Sequence, residues 1–259
     1  MRITTWNVNG LRAALRKGFA KHIDLIQPDV LLLQEIRVLP EQLPDEWAEP
    51  DGWHVHWNPA QKKGYAGTAI WSRQPFELVC TGLSPADKDK EGRVVHIRTS
   101  GVEIASVYLP SGSSSEERQK SKEIWMRRFR PWATKHTSLE TPFVFGGDLN
   151  IAHTEQDIFY VSGNKKTSGF LPHEREWFGR LLDSGWNDFV RQQAGDVKGP
   201  FSWWSNRGKA RKLDRGWRID YLLGNALAAK LFKAATTHRE GGLEVSDHAP
   251  VSIDLDVTT

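Results

Sequence analysis

Short apolar runs that lead into polar residues form the clearest pattern along this chain. Residues 30–33 run directly into Gln34 and Glu35, and residues 142–145 reach Asp148 and Asn150 through two glycines. Apolar runs of this length are typical of buried strands, and glycines allow the backbone to turn sharply after them. The pattern therefore predicts that Glu35, Asp148 and Asn150 lie where strands meet loops.

The N-terminal residues predict a second strand that lies close to the first. Residues 3–10 form a strand running into a turn at Asn7, and apolar residues then recur at helical spacing from Leu11 to Ile26. A helical crossover of this length can join parallel neighbouring strands, so we expect Asn7 beside Glu35.

Near the C-terminus, Asp247 and His248 directly precede another predicted strand. Pro250 favours extended backbone before it, and residues 251–257 alternate apolar and polar side chains as in a half-buried strand. The strand that follows should therefore fix the orientation of the Asp247 and His248 side chains. Either this motif or the one around Asp148 would, taken alone, be read as an ordinary polar turn.

The remaining pattern predicts a mixture of strands and helices. A helix should follow Ser115, and another should run from Pro172 to Gly185. Further strands are predicted near residues 53–57, 68–71, 76–79, 93–98 and 102–108. By itself, this pattern establishes only that the fold contains both α and β structure.

Composition points to one globular domain over residues 1–259. The chain is 39% hydrophobic and long enough to bury a substantial core. It contains no secretory leader pattern and no apolar stretch approaching the roughly 20 residues of a membrane helix, so we expect a cytoplasmic protein without a membrane role. Cys80 is the single cysteine, which excludes an internal disulfide and disfavours a zinc site.

Charge alone permits a polyanionic partner without requiring one. The net charge is +3, but lysines and arginines cluster in loop-like stretches at residues 62–63, 164–166 and 207–212. Each cluster alone could be a solvated basic loop. The aromatic residues around the longest cluster favour a pocket that holds a sugar or stacks bases: Phe201, Trp203, Trp204 and Trp217. Other tryptophans lie in apolar patterns and are predicted to pack in the core: Trp6, Trp71, Trp125, Trp177 and Trp186.

The polar residues at the predicted strand ends suit a hard divalent cation. Mg²⁺ prefers carboxylate and amide oxygens, and Mn²⁺ is an alternative for the same ligands. The candidate metal ligands are Asn7, Glu35, Asp148, Asn150 and Asp247.

Eight motifs, in order along nearly the whole chain, resemble the exonuclease III type AP endonucleases of the endonuclease/exonuclease/phosphatase superfamily. They are WNVNGLRA (6–13), LQE (33–35), GYAG (64–67), VYLP (107–110), GGDLN (146–150), GNKK (163–166), GWRIDY (216–221) and SDH (246–248). The resemblance implies a four-layer α/β sandwich, with two packed mixed β-sheets flanked by helices and an active site at one edge.

The resemblance also implies a function in DNA base-excision repair. The expected reaction is Mg²⁺-dependent hydrolysis of the phosphodiester 5′ to an abasic site in duplex DNA, which leaves a 3′-OH. Processing of blocked 3′ ends and 3′–5′ exonuclease activity are expected alongside it. The expected partner is duplex DNA carrying either lesion, and the protein is expected to be a monomer.

By the same resemblance, the catalytic residues are Tyr108, Asp148, Asn150, Asp220 and His248. Asp148 would activate the attacking water, although its chemistry equally permits proton donation to the leaving group. Asp220 would hold the His248 ring and favour its protonated form. The implied DNA contacts are Arg37, Tyr65, Asn164, Lys165, Lys166, Trp203 and Trp217.

Each catalytic assignment has a structural alternative. Tyr108 could be a strand-end phenol, Asp220 a surface carboxylate, and His248 a histidine satisfied by backbone groups. The chain also departs from the family pattern in the active-site and DNA-loop motifs, at Asn9, Ser111, Thr167 and Ser168. Because Thr167 and Ser168 are small, we expect room for continuous duplex and predict that internal abasic cleavage dominates. The rival classes are a hydrolase of undamaged DNA or phosphorylated lipid, and a noncatalytic DNA-binding module.

Overall fold

Two six-stranded sheets form the centre of the molecule in a computed structural model that describes residues 1–87 and 89–257. The first sheet contains Arg2–Asn7 (β1), Val30–Gln34 (β2), His54–Asn58 (β3), Thr68–Ser72 (β4), Phe232–Thr237 (β11) and Val251–Leu255 (β12). The second contains Glu77–Thr81 (β5), Val94–Thr99 (β6), Val102–Tyr108 (β7), Phe143–Asp148 (β8), Asn187–Asp188 (β9) and Asp220–Gly224 (β10).

Both sheets are mixed. Their strand orders are β11-β12-β1-β2-β4-β3 and β5-β6-β7-β8-β10-β9. The pairs β1/β2 and β7/β8 are parallel, whereas the other neighbouring strands pair antiparallel. The predicted side-by-side placement of the strands that carry Asn7 and precede Glu35 is therefore confirmed.

Helices surround the two sheets. They are Leu11–Arg16 (α1), Phe19–Ile26 (α2), Asp45–Ala48 (α3), Glu116–Thr137 (α4), Pro172–Asp183 (α5), Phe189–Ala194 (α6), Ala226–Leu231 (α7) and Arg239–Glu244 (α8). Single 3₁₀ turns occur at Pro40–Gln42, Glu155–Asp157 and Ser162–Asn164. The helix predicted after Ser115 is α4, and the Ser115 side chain caps it by accepting a hydrogen bond from the Arg118 amide at 3.3 Å.

Three hydrophobic clusters separate four layers. Ile3 and Leu32 of the first sheet pack in one cluster with Ile97 and Ile104 of the second. The outer face of the first sheet packs on α1 and α2, while α4 and α5 cover the outer face of the second. The predicted four-layer α/β sandwich is confirmed. The five tryptophans expected in the core are all buried.

The predicted helical crossover is present but divided, and the predicted half-burial of β12 was wrong. The helical pattern from Leu11 to Ile26 forms two helices, because Gly18 adopts a left-handed conformation with φ 99° and breaks the path between them. The strand β12 is not half-buried, because Ser252 is covered on its polar side. Its hydroxyl contacts Thr4 Oγ1 at 2.7 Å and His238 Nε2 at 2.8 Å.

The other predicted strands and helices are present, with bounds shifted by a few residues. The sequence pattern did not predict α6, α7 or α8, which are six residues each and too short to establish a helical period. Among the described residues, no helix combines the length and hydrophobicity needed to cross a membrane.

Candidate active site

The register of the two sheets brings the predicted strand-end residues together. In the second sheet, Asp148 pairs with Tyr108 on one side and Asp220 on the other. In the first sheet, Asn7 ends β1 and Glu35 follows β2. The Asn7 amide nitrogen donates to Glu35 Oε1 and to Asp148 Oδ2, both at 2.9 Å. Asn7 therefore connects the two sheets at the site.

Asp148 lies at the centre of the site and is 1% exposed. It accepts hydrogen bonds from the Asn150 backbone amide at 2.8 Å and the Asn150 side-chain amide at 3.1 Å. Burial, together with the charges of Asp220 and Glu35, raises the pKa of Asp148 to about 7, although His248 opposes the shift. A carboxyl group with this pKa can take up or release a proton near neutral pH.

His248 is held by Asp220 in the buried part of the site. Its Nδ1 donates to Asp220 Oδ2 at 2.9 Å, and its Nε2 lies 3.9 Å from Asp148 Oδ2. Burial disfavours the imidazolium, but the attraction of Asp220 outweighs burial and raises the pKa of His248 to about 10. The ring is therefore a cation at neutral pH, with Nε2–H available to an anionic ligand.

Tyr108 and Glu35 form the opposite side of the site. The Tyr108 hydroxyl donates to Glu35 Oε1 at 2.8 Å, and burial raises the pKa of Tyr108 well above its ordinary value. The phenol therefore stays protonated and can act as a donor. Arg37 forms an ion pair with Glu35, and both residues adopt left-handed backbone conformations with φ 51°. Strained conformations of this kind are common at functional sites.

Asp247 forms a third side of the site, beside Asn9, one of the residues that depart from the family pattern. It accepts hydrogen bonds from the Asn9 side-chain amide at 2.7 Å and the Trp203 indole at 3.2 Å. Burial opposes ionisation, yet His248 and these two donors hold the pKa of Asp247 below its ordinary value. Asp247 is thus a carboxylate at neutral pH, and Asn9 stabilises it.

An open cleft of about 410 Å³ joins these groups. Ten of the predicted site residues line it: Glu35, Arg37, Tyr65, Tyr108, Asp148, Asn150, Trp203, Trp217, Asp247 and His248. Asn7 and Asp220 lie behind the lining and are fully buried. Asn164, Lys165 and Lys166 are not part of the lining, and both lysines are exposed.

Two of the four aromatic residues expected around the pocket belong to the core. Trp203 and Trp217 line the cleft with their rings nearly perpendicular and their centroids 6.0 Å apart. Trp204 is fully buried and Phe201 is 6% exposed, and both pack on Ala249 beneath the cleft. The prediction was wrong for Phe201 and Trp204, because composition does not reveal which aromatic residue of a loop turns inward.

The site can hold a metal ion. Asp148, Asp220 and His248 present atoms within 4.8 Å of one another, but Asp220 holds His248 as a cation, which leaves its ring without a lone pair for a metal. Carboxylate and amide oxygens facing the cleft are better suited, and Glu35, Asp148, Asn150 and Asp247 supply them. The Asn7 amide nitrogen points toward two carboxylates, an arrangement that positions these ligands.

Some lining residues were not among the sequence predictions. Arg118 extends from the first turn of α4, forming an ion pair with Glu91 and a hydrogen bond to the Tyr65 hydroxyl. Ser113 and Ser114 line the cleft beside it. These three residues follow shortly after the strand that ends at Tyr108, and this position in the sequence could have indicated that they lie near the site.

Residues 4–248 match the model of the Endonuclease/Exonuclease/phosphatase family. The chain belongs to this family. It is 35% identical to an exodeoxyribonuclease of Bacillus subtilis over 99% of this chain and 100% of that protein. Within the family the chain is of the exonuclease III type, so the resemblance seen in the sequence is confirmed.

Solved structures of family members have the same fold. The structure of a 3′ phosphatase, NExo, from Neisseria bound to a product DNA hairpin is 30% identical with a TM-score of 0.89, over 99% of each chain. An AP endonuclease from Archaeoglobus fulgidus is 25% identical with a TM-score of 0.88, over 99% of this chain and 100% of that chain.

Proposed function

We propose that this protein is a Mg²⁺-dependent AP endonuclease that cleaves duplex DNA 5′ to an abasic site and leaves a 3′-OH. Trimming of blocked 3′ ends and 3′–5′ exonuclease action accompany this activity, and residues 1–259 act as one catalytic domain and as a monomer. The observation that carries the proposal is Asp148, a buried carboxyl whose pKa is raised to about 7 and which lies 3.9 Å from the imidazolium of His248.

The residues of the site divide the chemistry of phosphodiester hydrolysis among them. Asp148 removes a proton from the attacking water, and Asn150 holds that water beside it. The water oxygen forms the new bond to phosphorus as the bond from phosphorus to the 3′ oxygen breaks, and the departing 3′ oxygen takes a proton from solvent water to become the 3′-OH. His248 Nε2–H donates to a non-bridging phosphate oxygen, while Asp220 keeps the ring charged.

Tyr108 donates from the other side, toward the phosphate or the departing 3′ oxygen. Its raised pKa keeps the donor proton in place at neutral pH. Glu35, Asp148, Asn150 and Asp247 would hold the metal, with Asn7 setting their positions. A bound Mg²⁺ supplies Lewis-acid neutralisation of charge on the phosphate.

The shape of the cleft supports selection of an extrahelical abasic sugar. Trp203 and Trp217 wall one side of a cleft of about 410 Å³, and their rings offer an aromatic surface against which an extrahelical sugar would pack. An abasic nucleotide costs less to extrude than a paired base, because it has lost its own pairing and stacking. Arg37, Tyr65, Asn164, Lys165 and Lys166 would contact the flanking phosphates.

A duplex oligonucleotide with one internal abasic analogue tests the proposal. We expect incision 5′ to the analogue with a 3′-OH product in Mg²⁺, and no product with excess EDTA. A matched duplex without the lesion is the control for specificity, and a duplex with a 3′ phosphate compares the two activities. Processing of the 3′ phosphate without internal incision would contradict abasic cleavage as the principal activity.

A further inference from the structure

A fully buried ion pair lies behind the cleft, among residues that the proposed chemistry does not use. Lys122 Nζ on α4 lies 2.6 Å from Glu174 Oε1, in the first turn of α5, and both side chains are completely buried. Charges are costly to bury unless their remaining hydrogen-bonding groups are also satisfied. The remaining hydrogen-bond partners of Lys122 and Glu174 therefore show which segments this ion pair holds.

Those partners belong to two segments that build the cleft. Lys122 Nζ donates to the Asn150 carbonyl at 2.9 Å. Glu174 Oε2 accepts from the backbone amide of Gly169 at 2.6 Å and of Leu171 at 3.1 Å. One ion pair thus holds the turn after Asp148 and the segment that carries Gly169.

These two segments touch at Gly169. A Cβ atom at this position would lie 3.0 Å from the Asn150 carbonyl oxygen and 3.1 Å from the Trp217 ring, and the backbone has φ 94°. Glycine therefore permits the close approach. Because the contact is tight, a displacement of the Gly169 segment would be transmitted to Asn150 and Trp217.

Gln119 extends the network to the cleft lining. Its side-chain nitrogen donates to Glu174 Oε1 at 3.1 Å, and its oxygen accepts from the Ser168 hydroxyl at 2.7 Å. A Cβ at Gly112 would lie 1.9 Å from the Gln119 oxygen and 2.6 Å from Ser168 Oγ, so the loop after β7 packs directly against this hydrogen bond.

We propose that Lys122, Glu174 and Gln119 form a positioning clamp that fixes the catalytic turn at Asn150 and the cleft wall at Ser168. Lys122 acts through the Asn150 backbone carbonyl, so it sets the position of the Asn150 backbone and side-chain amides that donate to Asp148. Gln119 acts through Ser168, so it sets the wall that the substrate meets. The inference rests on the proposed function, because incision reports both effects.

Two single variants separate the two arms of the clamp. Lys122→Met should lower kcat by about 10²-fold, because small displacements of catalytic groups have effects of that size. Gln119→Ala should raise KM about tenfold and change kcat less than twofold, because it loosens Ser168 while Glu174 still holds Gly169 and Lys122 still holds Asn150. Lys120→Met is the matched control, since Lys120 is exposed on the same helix, and it should leave both constants unchanged.

A double variant separates positioning from folding. Lys122→Met alone leaves the Glu174 charge buried without its cation, whereas Lys122→Met/Glu174→Gln removes both charges. The double variant should recover much of the lost thermal stability but keep the low kcat, because Asn150 still lacks its donor. Recovery of kcat along with the melting temperature would overturn the clamp, as would unchanged kcat and KM in the Lys122 and Gln119 variants.

The wild-type protein in the same assay distinguishes the two proposals. If wild-type protein incises the abasic duplex but the clamp variants match it, the clamp alone fails. If wild-type protein incises no abasic duplex, the proposed function fails, and the kcat and KM of the same variants on a 3′-phosphate duplex decide the clamp.

Discussion

Two largely buried clusters of charged residues lie next to each other in this molecule, and they differ in charge balance. The first contains Asp148, Asp220 and His248. The second contains Asp157, Asp188, Arg191 and Arg218, with Arg218 Nε 2.7 Å from Asp157 Oδ1 and Nη1 2.8 Å from Asp188 Oδ2. Arg218 and Asp220 are separated by one residue, so the same segment enters both clusters.

In the second cluster the charges balance, with two carboxylates facing two guanidinium groups. Burial works against ionisation of Asp157, but Arg218 and Arg191 hold its pKa well below the ordinary range. The pKa of Arg218 is raised well above its usual value despite burial, chiefly by Asp188 and Asp157. Asp157 and Arg218 therefore both stay charged at neutral pH, and neither exchanges a proton there.

The first cluster has surplus carboxylates. Glu35, Asp148, Asp220 and Asp247 surround the site, whereas the cations that contact these carboxylates are His248 and Arg37. Burial and the neighbouring charges of Asp220 and Glu35 raise the pKa of Asp148 to about 7, and the carboxylates raise that of His248 to about 10 against the effect of burial. Comparison of the clusters teaches that burial alone does not make a reactive site. Unbalanced charge leaves both a titratable carboxyl and a place for a metal cation.

The largest effect should come from removing the titratable carboxyl. Asp148→Asn should lower kcat for abasic incision about 10²–10⁴-fold, the range expected for a lost acid–base group. DNA affinity should change little, because the charge removed is not a phosphate contact. Single-turnover kinetics and DNA-binding titrations measure both. If Asp148→Asn retains turnover, Asp148 has a structural role like that of Asp157, and the proposed difference between the two clusters is wrong.

A substitution in the second cluster should lower the stability of the fold. Asp157→Asn leaves the buried guanidinium of Arg218 and the partly exposed one of Arg191 short of a partner, and should lower the free energy of unfolding by about 3–5 kcal/mol. Since the pKa of Asp157 is depressed, the carboxylate stabilises the fold above its unfolded pKa, and the stabilisation fades as pH falls. Urea denaturation at neutral and acidic pH measures both effects.

The control for that experiment is a pair on the surface. Asp256 pairs with Lys233 at 2.7 Å, with both side chains largely exposed, and Asp256→Asn should leave stability unchanged within error. If Asp157→Asn behaves like Asp256→Asn, the arginine cluster does not hold the fold.

A smaller effect is expected on the pKa of His248 in the first cluster. Asp220→Asn removes the carboxylate that contacts His248, so the pKa of His248 should fall from about 10 toward its ordinary value of about 6.5. In the native chain the imidazolium stabilises the fold below pH 6.5, and this contribution is lost as pH rises through about 10. In the variant the loss should occur at lower pH.

NMR titration of the His248 ring in metal-free protein measures that pKa directly. The alkaline limb of the incision profile should move to lower pH in parallel. A His248 pKa that stays near 10 in Asp220→Asn would assign the shift to Asp148 and Asp247 instead.

Local sequence determined where the chemistry begins on each strand. Apolar runs ahead of Glu35 and Asp148 predicted that both lie at strand ends, because a buried strand must be apolar and its polar continuation must leave the core. The position of His248 before a strand followed in the same way. The four-layer arrangement came from resemblance to a family, since the strand order depends on contacts between distant residues.

Tertiary structure decided which of these side chains act on one another. Asp220 and His248 are 28 residues apart, Asn7 and Asp148 are 141 apart, and Lys122 and Glu174 are 52 apart. It also decided that Trp203 faces the cleft while its neighbour Trp204 is buried. Periodicity specifies which face of an element is apolar, but charge balance, pKa and burial depend on what the rest of the chain places against that face.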